Sequence, residues 1–390
     1  MKANMKQILA IAWMSLRTIP ERWGSSLVVV VGMACAVGAL VSILSMSAGY
    51  LRAMANTGSP SRAIVMSDGA LGEWGSTIAH DEATTLSDMP GIARDGADRP
   101  IVSADYISYA LVAAKSDGQD NGVAVRGVSL QDPQLRPEIK LISGRWFRPG
   151  KFEVVVGKGA QDLFDGLKVG DHVTLQSGDW LITGTFESNG GANESELLTD
   201  ASTLLSAMRT STYKSMTVRL TSPAAFTTFK NAITSRPGPA LEIARESDWY
   251  TEQSKSFDQL LRIIAYVVGG IMGLGATFGA LNTMYSAIAA RAREIATLRA
   301  IGFGGTAVVV SVLSEALLFC LIGAALGVAL AWALFNGYQH VTNGVVTQLT
   351  VTPALAATGI GFALFLGLIG GLFPAARAAR MPIVDALRAV

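Results

Sequence analysis

Charge is scarce in this sequence. Only 16% of its 390 residues are Asp, Glu, Lys or Arg, against about a quarter in soluble domains. Half of the chain is hydrophobic. The scarcity is also uneven, since residues 49–259 hold 46 of the 61 charged residues, 20 basic and 26 acidic. Such segregation excludes a single soluble globule and implies two solvents, lipid and water. Cysteine is nearly absent. Cys35 and Cys320 both sit inside apolar runs, so the charged segment must fold without disulfides. Histidine is rare too. His80, His172 and His340 have no second ligand at metal spacing, which removes histidine-based zinc chemistry. Net charge is +1 and no Lys/Arg patch is interleaved with aromatics, so nucleic acid is not an expected partner.

Four long apolar runs are present. They predict transmembrane helices at 24–48, 260–290, 307–335 and 354–376, each above the roughly 20 residues that cross a bilayer. The first has a basic flank (Lys2, Lys6, Arg17, Arg22) but no charge over 25 residues. That is longer than a cleaved signal's apolar region and reads as an uncleaved anchor. Basic residues recur in 1–23, in the 291–306 loop (Arg291, Arg293, Arg299) and in the 377–390 tail (Arg377, Arg380, Arg388). The 336–353 loop has no charge. Four spans put all three basic segments on one side, expected to be the cytoplasm. Both termini then lie inside, and residues 49–259 lie outside.

The fold class expected is therefore an α-helical membrane protein with four transmembrane helices. A large α+β, two-lobed extracytoplasmic domain, 49–259, lies between the first and second. Strand-like runs occur at 64–67, 107–114, 122–129, 153–157, 172–176, 180–187 and 215–220, and helical stretches at 158–166, 200–209 and 223–235. Residues 172–187 read as a hairpin turning at 177–179, and 188–195 (SNGGANES) as an exposed loop. Tyr50, Leu51 and Met54 after the first span, with Trp249, Phe257 and Leu260 before the second, allow both helices to continue as stalks for about two turns. No catalytic constellation stands out. His80-Asp81-Glu82 reads as a surface turn or helix start. Gly157-Lys158-Gly159 lacks the phosphate-loop spacing, with Phe152 where its first glycine would stand, and reads as a tight strand-to-helix turn. Small residues four apart in the spans, such as Gly323/Gly327 and Gly367/Gly371, suit either a dimer interface or packing within one subunit. Glu315 is the one acid well inside an apolar run. It reads as a proton relay or as a structural ion pair with Arg299 or Arg377.

Two segments carry a specific resemblance: SAIAARAREIATLRAIGFGGTAVVVSVLSEALLFCLIGAALG (286–327) and GLFPAARAARMPIVDALR (371–388). They resemble the C-terminal half of MacB/FtsX-type ABC transporter permeases. Residues 145–188 are more weakly similar to that family's outer lobe. The resemblance implies a cytoplasmic coupling helix, here Arg291, Arg293, Glu294, Ile295, Leu298 and Arg299, ending at Gly302. Ile295, Leu298 and Arg299 would share the face offered to an ATPase. It also implies a tail motif of Pro374, Arg377, Arg380, Pro382, Leu387 and Arg388.

The family further implies a non-catalytic permease, bearing no cofactor, in the bacterial inner membrane. Its expected partners are two copies of a separate ABC ATPase carrying ATP and Mg, a second permease (identical or related), a membrane-fusion adaptor and membrane lipids. The expected activity is mechanically coupled export or extraction of a substrate. The alternative is an FtsX-like signal transmitter that activates a cell-wall hydrolase. Some members carry a fused ATPase. With 23 residues before its first span, this chain is expected to be of the stand-alone type. A carrier driven by an ion gradient is disfavoured, because repeated spans and several intramembrane charges are missing.

Overall fold

The structure is a computed structural model that describes residues 23–129, 132–175, 178–342 and 344–382. In chain order it contains α1 (Trp23–Thr57), β1 (Arg62–Ser67), β2 (Ile78–Ala79), α2 (His80–Ser87), β3 (Val102–Ala113), β4 (Asp120–Val128), α3 (Asp132–Leu135), β5 (Lys140–Gly144), β6 (Glu153–Gly157) and α4 (Lys158–Leu163). There follow β7 (His172–Leu175), β8 (Gly178–Glu187), β9 (Leu197–Asp200), α5 (Ala201–Ala207), β10 (Thr212–Tyr213), β11 (Ser215–Arg219), α6 (Ala225–Thr234) and β12 (Leu241–Arg245). The chain ends with α7 (Glu246–Ala290), α8 (Ala292–Ala300), α9 (Gly305–Phe335), β13 (Gln339–Thr342), β14 (Val345–Gln348) and α10 (Pro353–Arg380). Two compact units result. Residues 49–258 with 339–348 form an α/β unit, and the remainder forms a helical unit.

Among the described residues, α1, α7, α9 and α10 are long and apolar enough to cross a membrane. Two run well past their apolar stretches: α1 continues to Thr57, and α7 already begins at Glu246. At about 3.6 residues per turn the α1 extension is close to the two turns the sequence suggests, and that of α7 is nearly twice as long. Within the helical unit, the small residues let backbones close on one another. A Cβ on Gly323 would meet the Val30 carbonyl at 2.7 Å, and one on Gly327 the Ala34 carbonyl at 2.5 Å. One on Gly367 would meet the Cys320 sulfur at 2.8 Å. These glycines therefore serve packing within one subunit. α10 starts on Thr352, whose Oγ1 accepts the Leu355 N–H, with Pro353 in its first turn.

The α/β unit is built on one mixed ten-stranded sheet, ordered β12-β1-β11-β3-β4-β9-β6-β8-β5, with β7 on β8. The pairs β4·β9 and β6·β8 are parallel. The two lobes are thus two ends of a single sheet. Val125, Val154, Trp180, Ile182 and Leu204 fill one core, and Val65, Leu86, Val218, Phe229 and Ile243 fill the other. β6 explains its own sequence. Val154 and Val156 face the first core while Val155 faces a third cluster with Phe147 and Phe186. Both faces are buried, so EVVVG shows no polar alternation. Gly157 does make a strand-to-helix turn into α4, and the reason for glycine is contact: a Cβ there would lie 2.3 Å from the Glu194 carbonyl. α2 starts at His80 with Asp81 and Glu82 in its first turn, where a helix favours acids.

Two local expectations need correction. Residues 188–195 are not an exposed loop. Ser188, Ala192, Asn193 and Ser195 are buried, and Glu194 accepts the N–H groups of Ser188 and Gly190. The uncharged 336–353 loop contains the β13–β14 hairpin. Leu260 is 52% exposed, while its neighbour Leu261 is buried, so Leu260 does not extend the buried stripe. The turn at 177–179 falls partly outside the described residues.

Candidate functional site

Two clusters of charged side chains hold the ends of the long helices. The first lies in the helical unit, around α8. This nine-residue helix follows α7 after a one-residue break at Arg291. It stops in a Schellman arrangement: Gly302 N–H donates to the Arg299 carbonyl at 3.1 Å and Phe303 N–H to Leu298 at 3.1 Å. Gly302 has φ +104°, a conformation open to glycine.

Ile295, Leu298 and Arg299 share a face as their spacing predicts, but that face turns inward. Ile295 packs with Ile288 at the end of α7, Val308 at the start of α9, and Ala378 and Met381 at the end of α10. Ala296 is buried and Leu298 half-buried. The Arg299 guanidinium donates to the Met381 carbonyl at 2.5 Å. The outward face carries Arg293, Glu294 and Thr297 instead, followed by Ile301 at 72% exposure. Sequence reasoning passed over Ile301, whose signal is an apolar residue directly before a capping glycine.

Glu315 is buried in α9 and pairs with Arg291 at 3.3 Å, not with Arg299 or Arg377. Arg291 reaches it because the break between α7 and α8 aims that side chain back at α9. Arg377 instead lies over the Tyr285 ring, 5.6 Å from its centroid. Glu315 also lines a cavity of about 20 Å³ with Thr277, Thr283 and Cys320. That is room for one water, and among the described residues no second acid or histidine lines it. Pro374 is buried within α10 and Arg380 closes that helix, with Pro382 just beyond. Leu387 and Arg388 lie outside the described residues.

The second cluster lies in the α/β unit, where α1 ends and α7 begins. A Cβ on Gly58 would sit 2.7 Å from the Ser247 Cα, so the two chain segments touch. Arg62 is buried beside them with all five N–H groups committed. Nε donates to Glu246, Nη1 to the Leu135 carbonyl and Glu138, and Nη2 to the Thr57 carbonyl and Glu138. One guanidinium thereby ties the last carbonyl of α1 to the first side chain of α7 and to the α3 turn. Burial pushes the Glu246 carboxyl above the ordinary range even with Arg62 against it. Beside this collar of contacts, the Tyr50 and Phe257 rings lie tilted with centroids 4.6 Å apart, in a cluster with Met54, Trp249 and Tyr250. Ala192 N–H donates to Thr57 Oγ1 at 2.6 Å, so the segment at 188–195 also grips α1. The collar was not anticipated. Its only sequence signal is an isolated Arg shortly after a helix.

Among the described residues no group of His, Cys, Asp and Glu could hold a metal ion. What the two clusters do is mechanical: each fixes the ends of separate helices to one another. The model of the MacB-like periplasmic core domain matches residues 26–236, more than half of the chain. The chain belongs to the MacB/FtsX-type permeases. The model of the FtsX-like permease C-terminal region matches residues 266–383, which contain α8 and Glu315.

Relatives of this permease include the macrolide export ATP-binding/permease protein MacB of Chromobacterium violaceum, 34% identical over 33% of this chain and 18% of that protein. The MacB of Campylobacter jejuni is 30% identical over 38% and 24%, and that of Salmonella paratyphi A 36% over 36% and 20%. The permease thus spans about a fifth of the length of the curated relatives it matches. Among solved structures, the periplasmic region of MacB from Actinobacillus actinomycetemcomitans covers 51% of this chain and 95% of its own, at 16% identity and a TM-score of 0.38.

Proposed function

We propose that this MacB/FtsX-type permease transmits motion from an ABC ATPase to its α/β domain, and that this motion drives export or extraction of a substrate. The observation that carries the reading is α8. Its inward face is bolted to the ends of α7, α9 and α10 through Ile295, Arg299 and the Arg291–Glu315 pair. Its outward face, with Glu294 and Ile301, is free to receive a partner. A push on that face reaches three membrane helices at once. The basic residues gathered at this end (Arg291, Arg293, Arg299, Arg377, Arg380) support a cytoplasmic position for it. Residues 49–258 then lie on the far side of the bacterial inner membrane.

At that far end, Arg62 and the Tyr50–Phe257 cluster join α1 and α7 to the domain, so displacement of either helix moves its base. Two permeases work above two ATPase subunits, with ATP and Mg held by the ATPase. In this reading the permease supplies no catalytic group. A membrane-fusion adaptor is the expected partner outside.

The test is the double substitution Glu294→Arg with Ile301→Asp in the reconstituted complex. Both residues are exposed, so the folded permease should survive. Coupling of ATP hydrolysis to substrate movement should fall at least tenfold. Unchanged coupling would overturn the assignment of α8. Loss of activation of a cell-wall hydrolase, with no substrate movement at any stage, would place the chain among signal transmitters.

A further inference from the structure

The α/β unit encloses a cavity of about 180 Å³ that the mechanical reading leaves unused. Tyr50, Trp74, Tyr109, Trp249 and Tyr250 form its walls. Trp74 and Tyr109 stand half exposed at 52% and 48%, an unusual position for large aromatic side chains.

The floor is a buried charge network. Arg126 donates through Nε and Nη2 to Glu196 (2.7 and 2.9 Å), through Nη1 and Nη2 to Glu73 (2.8 and 3.0 Å), and through Nη1 to Asp105 (3.4 Å). That uses all five N–H groups of the guanidinium. No donor remains on it for an anion. The carboxylates are not saturated. Glu196 receives two hydrogen bonds and Glu73 three, including one from Ser215, where a carboxylate offers about four lone-pair sites. The charged floor therefore has acceptor capacity to spare.

The charge count agrees. One arginine and two glutamates line the cavity, which leaves the lining one charge negative. Arg136 offsets Asp105 behind it, at 3.0 Å. Arg126 keeps Glu73 ionised against the burial that would neutralise it. An acceptor floor with net negative charge, lined by aromatic rings, is complementary to one kind of guest.

We propose that this cavity binds a small organic cation carrying N–H donors, a primary alkylammonium or guanidinium group. The hydrogen-bond donors meet Glu196 and Glu73, and the alkyl part lies against Trp74, Trp249 and Tyr109. The cavity has room for a small head group, so a larger molecule would enter by that group alone. Gly344 and Val345 of the β13–β14 hairpin close one side.

The site is independent of the coupling helix, and its test needs no ATPase. The full chain in lipid nanodiscs is titrated calorimetrically with 3,3-dimethylbutylammonium and with its neutral isostere 3,3-dimethylbutan-1-ol. The ammonium should bind saturably and at least tenfold more tightly than the alcohol. Trp74→Ala, at an exposed position, and Glu196→Gln should each weaken it by about tenfold. Equal affinity for the alcohol, no saturable heat with the ammonium, or unchanged binding in Trp74→Ala would overturn the proposal. Because Trp74 packs at the surface, its variant keeps the test meaningful even if Glu196→Gln fails to fold.

Discussion

The β13–β14 hairpin connects two membrane helices yet packs as part of the α/β unit. Val346 N–H donates to Ser195 Oγ at 2.6 Å, and a Cβ placed on Gly159 would lie 3.2 Å from Val346 Cβ. Disulfides hold their Cβ atoms about 3.5–4.5 Å apart. Gly159→Cys with Val346→Cys should therefore cross-link after an opening of a few tenths of an ångström. The backbone at Gly159 is not left-handed, and a Cβ there also lies 3.1 Å from the Glu194 carbonyl, so the same small opening must relieve that contact. The bond closes a loop of roughly 190 residues, and chain entropy sets its upper value at about 5 kcal/mol. Allowing for the strain of a close approach, the melting temperature should rise by about 5–10 °C on oxidation. The assay is gel mobility without reductant, with Cys35 and Cys320 replaced, followed by melting of oxidised and reduced samples. Gly150→Cys with Val346→Cys is the control, because a Cβ on Gly150 has nothing within 4 Å. If the pair fails to cross-link more than the control does, the hairpin does not belong to this unit and the cavity loses a wall.

Two further outcomes follow from the charge clusters. Arg62→Met leaves Glu246 buried without its partner and should destabilise the α/β unit by about 3–5 kcal/mol; adding Glu246→Gln should recover part of this in denaturant titrations. Acid should destabilise the same unit. Arg145 hydrogen-bonds hold Glu153 below the ordinary carboxyl range, and Arg126 holds Glu73 below it despite burial. A lowered folded pKa contributes stability that is present above the unfolded pKa and lost as pH falls through the folded one. Melting temperature should thus drop below about pH 4, less steeply in Glu153→Gln, whereas the raised carboxyl of Glu246 acts in the opposite direction.

The sequence made the membrane helices legible because lipid demands long uncharged runs, and α9 and α10 follow theirs closely. It also made β6 and α2 legible, through Val154–Val156 and through the acids after His80. The α7 stalk is longer than its sequence suggests, because Glu246–Phe257 is polar on one side and its apolar side is recognisable only by contacts such as Tyr50 with Phe257. The segment 188–195 misled for the opposite reason. Its Gly, Asn and Ser residues read as a loop, yet Gly191 and Ala192 are small because α1 ends against them. The direction of α8 was beyond reach. Spacing finds the face shared by Ile295, Leu298 and Arg299, but only the position of Met381 tells which way that face points. Charge partners failed likewise, since Arg291 meets Glu315 by virtue of a break in the helix rather than by any sequence interval.

The contact between Gly58 and Ser247 has a consequence for how such a chain diversifies. The chain between Gly58 and Ser247 leaves and rejoins the helices at a single point, so in topological terms that segment is a bead threaded into a helical hairpin. The chain between Arg62 and Glu246 could be exchanged for another bead, or trimmed to a short turn, without asking α1 and α7 to part. Sequence change can then accumulate in the bead, while the helices and the α8 junction stay under separate constraint. The collar at Arg62 and Glu246 marks the seam along which the two would be rejoined.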